Sequence, residues 1–366
     1  AKNRTTFTYD PATGRKIAET NPADNTTRYA YNDRGQIIRT WGDAAYPVQY
    51  VYDAYGRMQK MHTFRTEEGW DAAAWPAAAS GDTTTWLYDP ATGLLAGKQD
   101  ALGNVVSYTY DAVGRLATRT WARTESGAPV VTTYTYDTAT GDLTGIDYSD
   151  ETPDIAFAYD RMGRKQTVTD ATGTRAFAYS EALQLESETL TGIVNRTITR
   201  NYAESRVKGR ATGFAIGTDY AVNYGYDTKG RMHKVAWNAA GHTDAATYGY
   251  LADSNLLETL STTNGLITSY AYEPHRNVKT AVENAYNTTL ISRYAYTYDA
   301  MGRRTAVKNT GLAFAYDAFN AYDYNDRNEL TESSRYIGTE TTDVTQPVAP
   351  EYRAYEYDPI GNREEI

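Results

Sequence analysis

Two aromatic positions separated by one residue, followed by a polar turn, recur along the whole chain. Residues 108–115, with the sequence Tyr-Thr-Tyr-Asp-Ala-Val-Gly-Arg, show the pattern clearly. In an extended strand, residues two apart point to the same face. Asp111 can accept a hydrogen bond from the backbone two residues on, and Gly114 can take the positive φ that a turn exit often requires. The pattern predicts a strand, a tight turn and a returning strand that begins at Arg115.

The second aromatic of this motif is a tyrosine in every copy, and the copies are regularly spaced. Tyr31 follows Tyr9 by 22 residues (31 − 9), and Tyr110 follows Tyr88 by 22 (110 − 88). Such a period indicates a tandem repeat of one supersecondary unit. The motif tyrosines are Tyr9, Tyr31, Tyr52, Tyr88, Tyr110, Tyr136, Tyr159, Tyr179, Tyr226, Tyr250, Tyr272, Tyr298, Tyr316, Tyr324 and Tyr357, with a degenerate copy at Tyr202.

The residue between the two aromatics is small in most copies, for example Ala30, Thr109 or Gly225. Each strand is therefore aromatic on one face and nearly bare on the other, unlike a strand buried on both sides. No convincing amphipathic helix is present to cover the sheet. About 15 units would give roughly 30 strands, beyond the size at which open twisted sheets curl. We expect an all-β array of antiparallel hairpins that winds into a spiral around a wet hollow.

The repeat runs through residues 1–366 as a single array, and two insertions interrupt it. The first, at about 62–85, contains Trp70 and Trp75, which are the candidate partner-binding residues because long loops on repeat arrays often carry binding. The alternative for this segment is a local plug or surface decoration. The second insertion, at about 336–350, reads as an extended loop. Because the chain begins and stops within repeats, we interpret it as a fragment of a longer protein.

Charged residues are tied to the turns of the repeat. An aspartate commonly follows the motif tyrosine, and an arginine commonly follows the turn glycine, as Asp111 and Arg115 illustrate. Stacked repeats are expected to place these arginines near the carboxylates of neighbouring repeats. The residues proposed to build the repeat are Tyr9, Tyr31, Tyr52, Tyr88, Tyr110, Tyr136, Tyr159, Tyr226, Tyr298, Asp111, Gly114 and Arg115.

Composition adds further constraints. There are 34 tyrosines against 7 phenylalanines, which indicates that most ring hydroxyls reach water or a polar neighbour. The formal charge is 36 − 46, or −10, which argues against nucleic acid as a partner. There are no cysteines, so disulfides cannot staple the fold. No apolar run is long enough to span a bilayer.

No catalytic, cofactor or metal site is predicted. The four histidines, His62, His233, His242 and His275, lack metal-ligand spacing. The carboxylates recur with the repeat period, whereas a catalytic pair should be unique. A carbohydrate-active enzyme is therefore the least favoured class. Exposed aromatic rows can stack on sugars or bases, but cross-strand aromatic pairs explain their regularity without a ligand.

The aromatic-x-Tyr-Asp-x-x-Gly-Arg motif at about 22-residue intervals resembles the YD or RHS repeat, and the resemblance covers essentially the whole chain. It implies a large hollow β-shell of the kind found in bacterial Rhs toxins, Tc toxin B and C components, wall-associated proteins and teneurins. In the toxins, the resemblance implies enclosure of a C-terminal effector. A self-cleavage motif of that branch is not carried over, because Asp358 to Gly361 is more simply a repeat turn.

Two functions follow as hypotheses. The first is a non-catalytic shell of a secreted or cell-surface bacterial protein, whose partner is its own C-terminal effector or cargo polypeptide. The second is an extracellular adhesion scaffold, teneurin-like or wall-associated, that binds a cell-surface glycan or protein through the tryptophan-bearing insertion.

Overall fold

The computed structural model of the protein describes residues 4–64, 75, 81–203, 208–358 and 361–365. Throughout these residues the chain forms β-strands joined by turns, with one short 3₁₀ helix, η1 (Ala349–Glu351), and no α-helix. The alternation of aromatic and small residues in the motif strands suits a pleated, half-buried surface. The expected all-β class and the antiparallel hairpin unit are confirmed.

The strands follow one another with short connections. In chain order they are β1 (Thr6–Tyr9), β2 (Lys16–Thr20), β3 (Thr26–Tyr31), β4 (Ile37–Gly42), β5 (Ala45–Tyr52), β6 (Met58–Phe64), β7 (Gly81–Tyr88), β8 (Leu95–Gln99), β9 (Val105–Tyr110), β10 (Leu116–Glu125), β11 (Ala128–Tyr136), β12 (Leu143–Tyr148), β13 (Ile155–Tyr159), β14 (Lys165–Asp170), β15 (Gly173–Tyr179), β16 (Leu185–Gly192), β17 (Arg196–Tyr202), β18 (Ala211–Ile216), β19 (Tyr220–Tyr226), β20 (Met232–Ala239), β21 (His242–Tyr250), β22 (Leu257–Thr262), β23 (Leu266–Tyr272), β24 (Lys279–Tyr286), β25 (Thr289–Tyr298), β26 (Arg304–Thr310), β27 (Ala318–Tyr324), β28 (Leu330–Ile337), β29 (Arg353–Ala354), β30 (Glu356–Tyr357) and β31 (Arg363–Glu365).

Strands β1 to β29 are assigned to one antiparallel sheet, and β30 pairs with β31 in a second. The pairing shifts register at the motif tyrosine. In the β9–β10 hairpin, Tyr110 lies opposite Leu116, but Thr109 lies opposite Thr118, so the returning strand carries one extra residue. The same irregularity occurs beside Tyr31, Tyr136 and Tyr226. A β-bulge of this kind bends the strand and increases its local twist.

The chain contacts cluster into two compact units. Unit 1 comprises Ala1–Leu87, Lys98–Asn104 and Thr268–Ile366, and unit 2 comprises Tyr88–Gly97 and Val105–Ile267. Unit 1 therefore brings the first and last parts of the sequence together. Each unit is a series of sequential antiparallel hairpins, for example β3 with β4 in unit 1 and β15 with β16 in unit 2.

Within unit 1, hairpin turns about 300 residues apart contact each other. The amide of Asn25 donates a hydrogen bond to the Asp326 carboxylate, with Nδ2···Oδ1 of 3.2 Å. The hydroxyl of Tyr46 donates to the Glu329 carboxylate, and the Arg327 guanidinium lies 4.2 Å from the centre of the Tyr46 ring. Burial and the Glu329 hydrogen bond both raise the pKa of Tyr46, so its hydroxyl stays protonated and continues to donate. This polar cluster fixes the β5 side of unit 1 against the turn after β27.

Few apolar side chains are buried among the described residues, and most of these are alanines. In unit 1, Ala318 and Phe319 of β27 are fully inaccessible, and Phe319 stacks on Tyr336 with ring centroids 5.2 Å apart. In unit 2, Val130 is 2% exposed and Val222 is 5% exposed. Because the small residues of the motif strands bury little apolar volume, polar contacts between repeats contribute much of what holds the strands together.

The two predicted insertions differ in how much of them the structure describes. Of the first, residues 65–74 and 76–80 lie outside the described residues. The second leaves β28 and folds back along it: the Ile337 N–H donates to Gln346, and the Val348 N–H donates to Arg335. An isolated antiparallel bridge joins Tyr336 to Pro347. The segment thus consists of a loop, a bridge and η1.

Candidate functional site

The turn of residues 111–115 has a complete internal hydrogen-bond network. The Asp111 N–H donates to the Arg115 carbonyl at 2.9 Å, and the Gly114 N–H donates to the Asp111 carbonyl at 3.0 Å. The Asp111 carboxylate accepts from the Val113 and Arg115 N–H groups at 3.0 and 2.9 Å. Gly114 has φ of +84°, which explains why glycine stands there. The turn is thereby fixed by its own aspartate.

The arginine after the glycine pairs with the aspartate of its own turn. Arg115 Nε lies 2.7 Å from Asp111 Oδ2. This corrects the expectation that the arginines would pair with carboxylates of neighbouring repeats: a tight turn brings residues four apart within reach of each other. The same pairing, at 2.6–2.7 Å, joins Arg57 to Asp53, Arg164 to Asp160, Arg231 to Asp227 and Arg303 to Asp299.

The guanidinium then reaches the next repeat through a ring and a carbonyl. Arg115 lies 4.5 Å from the ring centre of Tyr136, the next motif tyrosine. Arg303 lies 4.8 Å from the Tyr324 ring and donates to the Asn325 carbonyl at 3.1 Å. A cation over an aromatic face is attracted by the ring quadrupole. The same contact is made by Arg15 with Tyr31, Arg164 with Tyr179, Arg210 with Tyr226 and Arg231 with Tyr250.

The hydroxyl of the motif tyrosine forms the second connection between repeats. Tyr136 donates to the Leu116 carbonyl at 2.9 Å, at the start of the strand that follows the preceding turn. A phenylalanine could not make this bond, which explains why tyrosine stands at this position of the motif. The equivalent bonds, between 2.5 and 3.0 Å, are made by Tyr31, Tyr52, Tyr110, Tyr179, Tyr202, Tyr226, Tyr250, Tyr298 and Tyr357.

Of the remaining motif tyrosines, Tyr316 lies in the connection between β26 and β27 and not in a strand, which corrects its assignment to a motif strand. Others close a strand in different surroundings. Tyr9 closes β1 and is 56% exposed. Tyr88 closes β7, and Tyr159 closes β13. Burial raises the pKa of Tyr159, with a smaller contribution from the Asp142 carboxylate. Reasoning from sequence did not identify Arg210 and Arg276 as members of the arginine set, although the Gly209–Arg210 dipeptide was a usable signal for the first.

We expect Tyr136→Phe to lower the free energy of unfolding by about 1 kcal/mol, because the Leu116 carbonyl loses its hydroxyl donor. Urea unfolding followed by circular dichroism would measure the change. Tyr55→Phe is the matched control, because Tyr55 is 84% exposed at a turn tip. Equal effects of the two substitutions would contradict the inter-repeat role of the hydroxyl.

The turn carboxylates are held ionised by the donors around them. Backbone and side-chain hydrogen bonds from Arg115 lower the pKa of Asp111 below its ordinary value of 3.8. The Arg164 side chain is the main cause of the lowered pKa of Asp160, and the Thr92 backbone N–H is the main cause at Asp89. The folded protein therefore favours the ionised form of each of these carboxylates.

We expect acid to destabilise the fold. A carboxylate whose pKa is lower in the folded state contributes stability that is present above its unfolded value of 3.8, and that is lost as the pH falls through the folded value. The urea midpoint should therefore be constant above about pH 5 and fall steadily below pH 4. An unchanged midpoint between pH 5 and pH 2.5 would contradict the contribution of the turn aspartates.

The structure describes only one of the two candidate partner-binding tryptophans. Trp70 lies outside the described residues. Trp75 packs edge-on against Trp41 and Phe64, with ring centroids 5.7 and 5.6 Å apart, and the Arg39 guanidinium lies 5.1 Å from the centre of its ring. The ring is thus engaged by unit 1, and partner binding through it stays a prediction.

No group of three or more histidine, cysteine, aspartate or glutamate side chains that could hold a metal ion occurs among the described residues. His62 Nδ1 is hydrogen-bonded to the Thr83 hydroxyl at 2.8 Å, and burial lowers its pKa. In the part of the chain that the structure describes, no helix has the length and apolar character needed to cross a membrane.

Comparison with known proteins identifies the repeat. The family described as RHS Repeat matches residues 88–127, which include the motif of residues 108–115. Residues 88–127 therefore form an RHS, or YD, repeat. No curated protein sequence matches the chain.

Solved structures match almost the entire chain. One is the crystal structure of TcdB2-TccC3-Cdc42, with a TM-score of 0.63 and 17% identity over 98% of this chain and 21% of the other. Another is a variant of the Photorhabdus luminescens Tc holotoxin pore, with a TM-score of 0.65 and 14% identity over 98% of this chain and 22% of the other. A third, TcdB2-TccC3-TEV, matches with a TM-score of 0.56 and 14% identity.

These matches show that the chain shares its fold with Tc toxin structures. They agree with the all-β hairpin class predicted from the repeat. The chain spans about a fifth of the length of the solved chains that it matches.

Proposed function

We propose that the chain is a non-catalytic wall segment of a hollow YD shell, and that the complete protein encloses a C-terminal effector polypeptide. The observation that carries the proposal is the match of 98% of the chain to solved Tc toxin structures with TM-scores of 0.63 and 0.65. Such a wall acts by enclosing space, so its essential residues are those that join one repeat to the next.

The inter-repeat contacts support this role. A wall without a second layer must be held by bonds within the sheet. Most motif tyrosines supply a hydroxyl bond to the preceding repeat, as Tyr226 does to Ala211 at 2.8 Å. Several also receive a guanidinium on the ring, as Tyr226 does from Arg210 at 4.6 Å. These contacts use charge and hydrogen bonding in place of a thick apolar core. We propose a bacterial protein that is secreted or displayed at the cell surface.

The full-length parent protein provides the test. A density map of it should show polypeptide within a closed wall, and trypsin should cut the C-terminal segment only after the wall has been opened. A solid interior, or a C-terminal segment that trypsin removes from the intact protein, would overturn the proposal. An empty interior followed by an anchor or adhesion module would favour the adhesion scaffold instead.

A further inference from the structure

We infer that a groove at the open end of the β15–β16 hairpin in unit 2 is a binding site for an aliphatic carboxylate, such as a fatty acid with a short chain. The groove lies where the β14–β15 turn meets the β16–β17 turn, and its volume is about 250 Å³. This volume is below the usual range of sites for drug-sized ligands, roughly 300–1,000 Å³, which favours a short chain.

Two facing glycines keep the end of the hairpin free of side chains. Gly173, which lines the groove, is paired with Gly192 across β15 and β16. Their φ angles are +124° and +130°, and a Cβ on either residue would clash with the backbone of the paired strand. The strands therefore approach closely here, and the side chains around the pair form walls beside bare backbone.

Two large apolar side chains of the β16–β17 turn stand exposed at the groove. Ile193 is 78% exposed and Val194 is 51% exposed. Hydrogen bonds fix this turn: the Ile193 N–H donates to the Thr172 carbonyl at 3.0 Å, and the Asn195 amide donates to the Gly192 carbonyl at 3.2 Å. The exposed apolar pair is thus held in one place, as a binding surface requires.

The β16–β17 turn does not need apolar residues for its own folding. Because consecutive strands are antiparallel, four other turns of unit 2 lie at the same end of the strands. All four consist of small and polar residues: Ser-Gly at 126–127, Gly-Thr-Asp at 217–219, Ala-Gly at 240–241 and Thr-Asn-Gly at 263–265. The apolar pair at 193–194 therefore calls for an explanation outside turn chemistry.

The hydroxyl groups around the groove already have partners within the protein. The Thr172 hydroxyl donates to the Asp170 carboxylate at 2.5 Å, and the Thr174 hydroxyl is hydrogen-bonded to that of Thr169 at 2.9 Å. The Thr191 hydroxyl donates to the Thr174 carbonyl at 3.3 Å. The walls therefore present mainly methyl groups to a ligand, and burial of an aliphatic chain against them is favourable.

Arg175 is the one charged residue among the described residues that line the groove. It lies opposite Leu190 on β16 and Val168 on β14, so an apolar residue flanks it on each side. Its guanidinium forms no ion pair or hydrogen bond with the residues that the structure describes. The nearby Asp170 carboxylate instead accepts from the Thr172 N–H at 2.7 Å. A guanidinium beside an apolar groove is complementary to a carboxylate that carries a chain.

Titration of octanoate into the chain, followed by NMR of labelled isoleucine methyl groups and by calorimetry, tests the inference. We expect octanoate to shift the Ile193 signal and to bind about tenfold more tightly than hexanoate, because each buried CH₂ adds up to about fourfold. Acetate, which lacks the chain, should leave the signal unchanged. The neutral 1-octanol should bind about fivefold more weakly than octanoate, as expected for the loss of an exposed ion pair.

Two substitutions separate the head group from the chain. Arg175→Gln should weaken octanoate binding about fivefold and leave 1-octanol binding unchanged. Ile193→Ser should weaken binding of both ligands about tenfold. Its unfolding midpoint should not change, because the side chain is exposed, and Val194→Ser serves as a second variant of the same wall. Leu102→Ser is the matched control: it removes an 89% exposed apolar side chain from the β8–β9 turn and should leave binding unchanged.

Several results would overturn the inference. One is an Ile193 signal that octanoate does not shift, and another is octanoate binding that Arg175→Gln and Ile193→Ser leave as tight as in the natural chain. Tighter binding of octylammonium than of octanoate would show that the site does not select an anion. A shift produced only by phosphatidylcholine vesicles, or only by a peptide with an apolar C-terminus, would assign the surface to a membrane or to a protein partner instead.

Discussion

Phe319→Ala is expected to lower the free energy of unfolding of unit 1 by about 3–5 kcal/mol, the usual cost of removing a fully buried phenylalanine. Phe319 lies in the middle of the β26–β27–β28 pairing and is wholly inaccessible to solvent. Its ring stacks on Tyr336, at an interplanar angle of 25°. Because the other buried apolar residues are mostly alanines, little volume is available nearby to close the cavity that the substitution would leave.

Urea unfolding with hydrogen exchange resolved by segment would measure this effect, since exchange reports β26 to β28 separately from unit 2. Phe7→Ala provides the matched control: the same side chain is removed from a position that is 50% exposed. Its effect should remain within about 0.5 kcal/mol. A comparable loss in the two variants would show that Phe319 does not anchor unit 1.

Gly173→Ala is expected to cost about 3 kcal/mol or more, because it combines backbone strain with a steric clash. Gly173 begins β15 with φ of +124°, a conformation that residues with a Cβ rarely adopt. A Cβ built at this position would lie 1.9 Å from the Thr191 carbonyl oxygen on the paired strand. The strand would have to move away, which would break the pairing of Gly173 with Gly192.

Gly163→Ala separates these two causes. Gly163 has φ of +76° in a repeat turn, but a Cβ there would meet nothing within 4 Å. Only the conformational cost of about 1–2 kcal/mol should remain. Urea midpoints of both variants, with exchange rates across the β15–β16 hairpin, would test the difference. Equal midpoints would contradict the steric contribution at Gly173.

The local structure of the repeat was predictable because its determinants lie within eight consecutive residues. Asp111 and Gly114 are turn-forming types at turn positions, and the structure gives them the hydrogen bonds and positive φ that those types favour. The excess of tyrosine also predicted a polar partner for the hydroxyls. The identity of that partner, a main-chain carbonyl such as that of Leu116, depends on how neighbouring hairpins are aligned.

The prediction that the motif arginines pair with carboxylates of neighbouring repeats was wrong, again because the alignment of neighbouring hairpins cannot be read from the motif. Sequence spacing shows that Arg115 is near both Asp111 and the following repeat, but it does not show which one the side chain reaches. The β-bulge that sets Thr109 opposite Thr118 changes the register of the returning strand. No residue type in the motif predicts this bulge.

The sequence by itself determined the hairpin unit, its period and its all-β class, because alternation and turn chemistry act over a few neighbouring residues. Only the tertiary structure decided which distant hairpins meet. The contact of Asn25 and Tyr46 with the turn of residues 325–329 joins positions about 300 residues apart in unit 1. A periodic sequence offers many equivalent turns for such a contact, and the accumulated twist of all the intervening strands selects the one that forms.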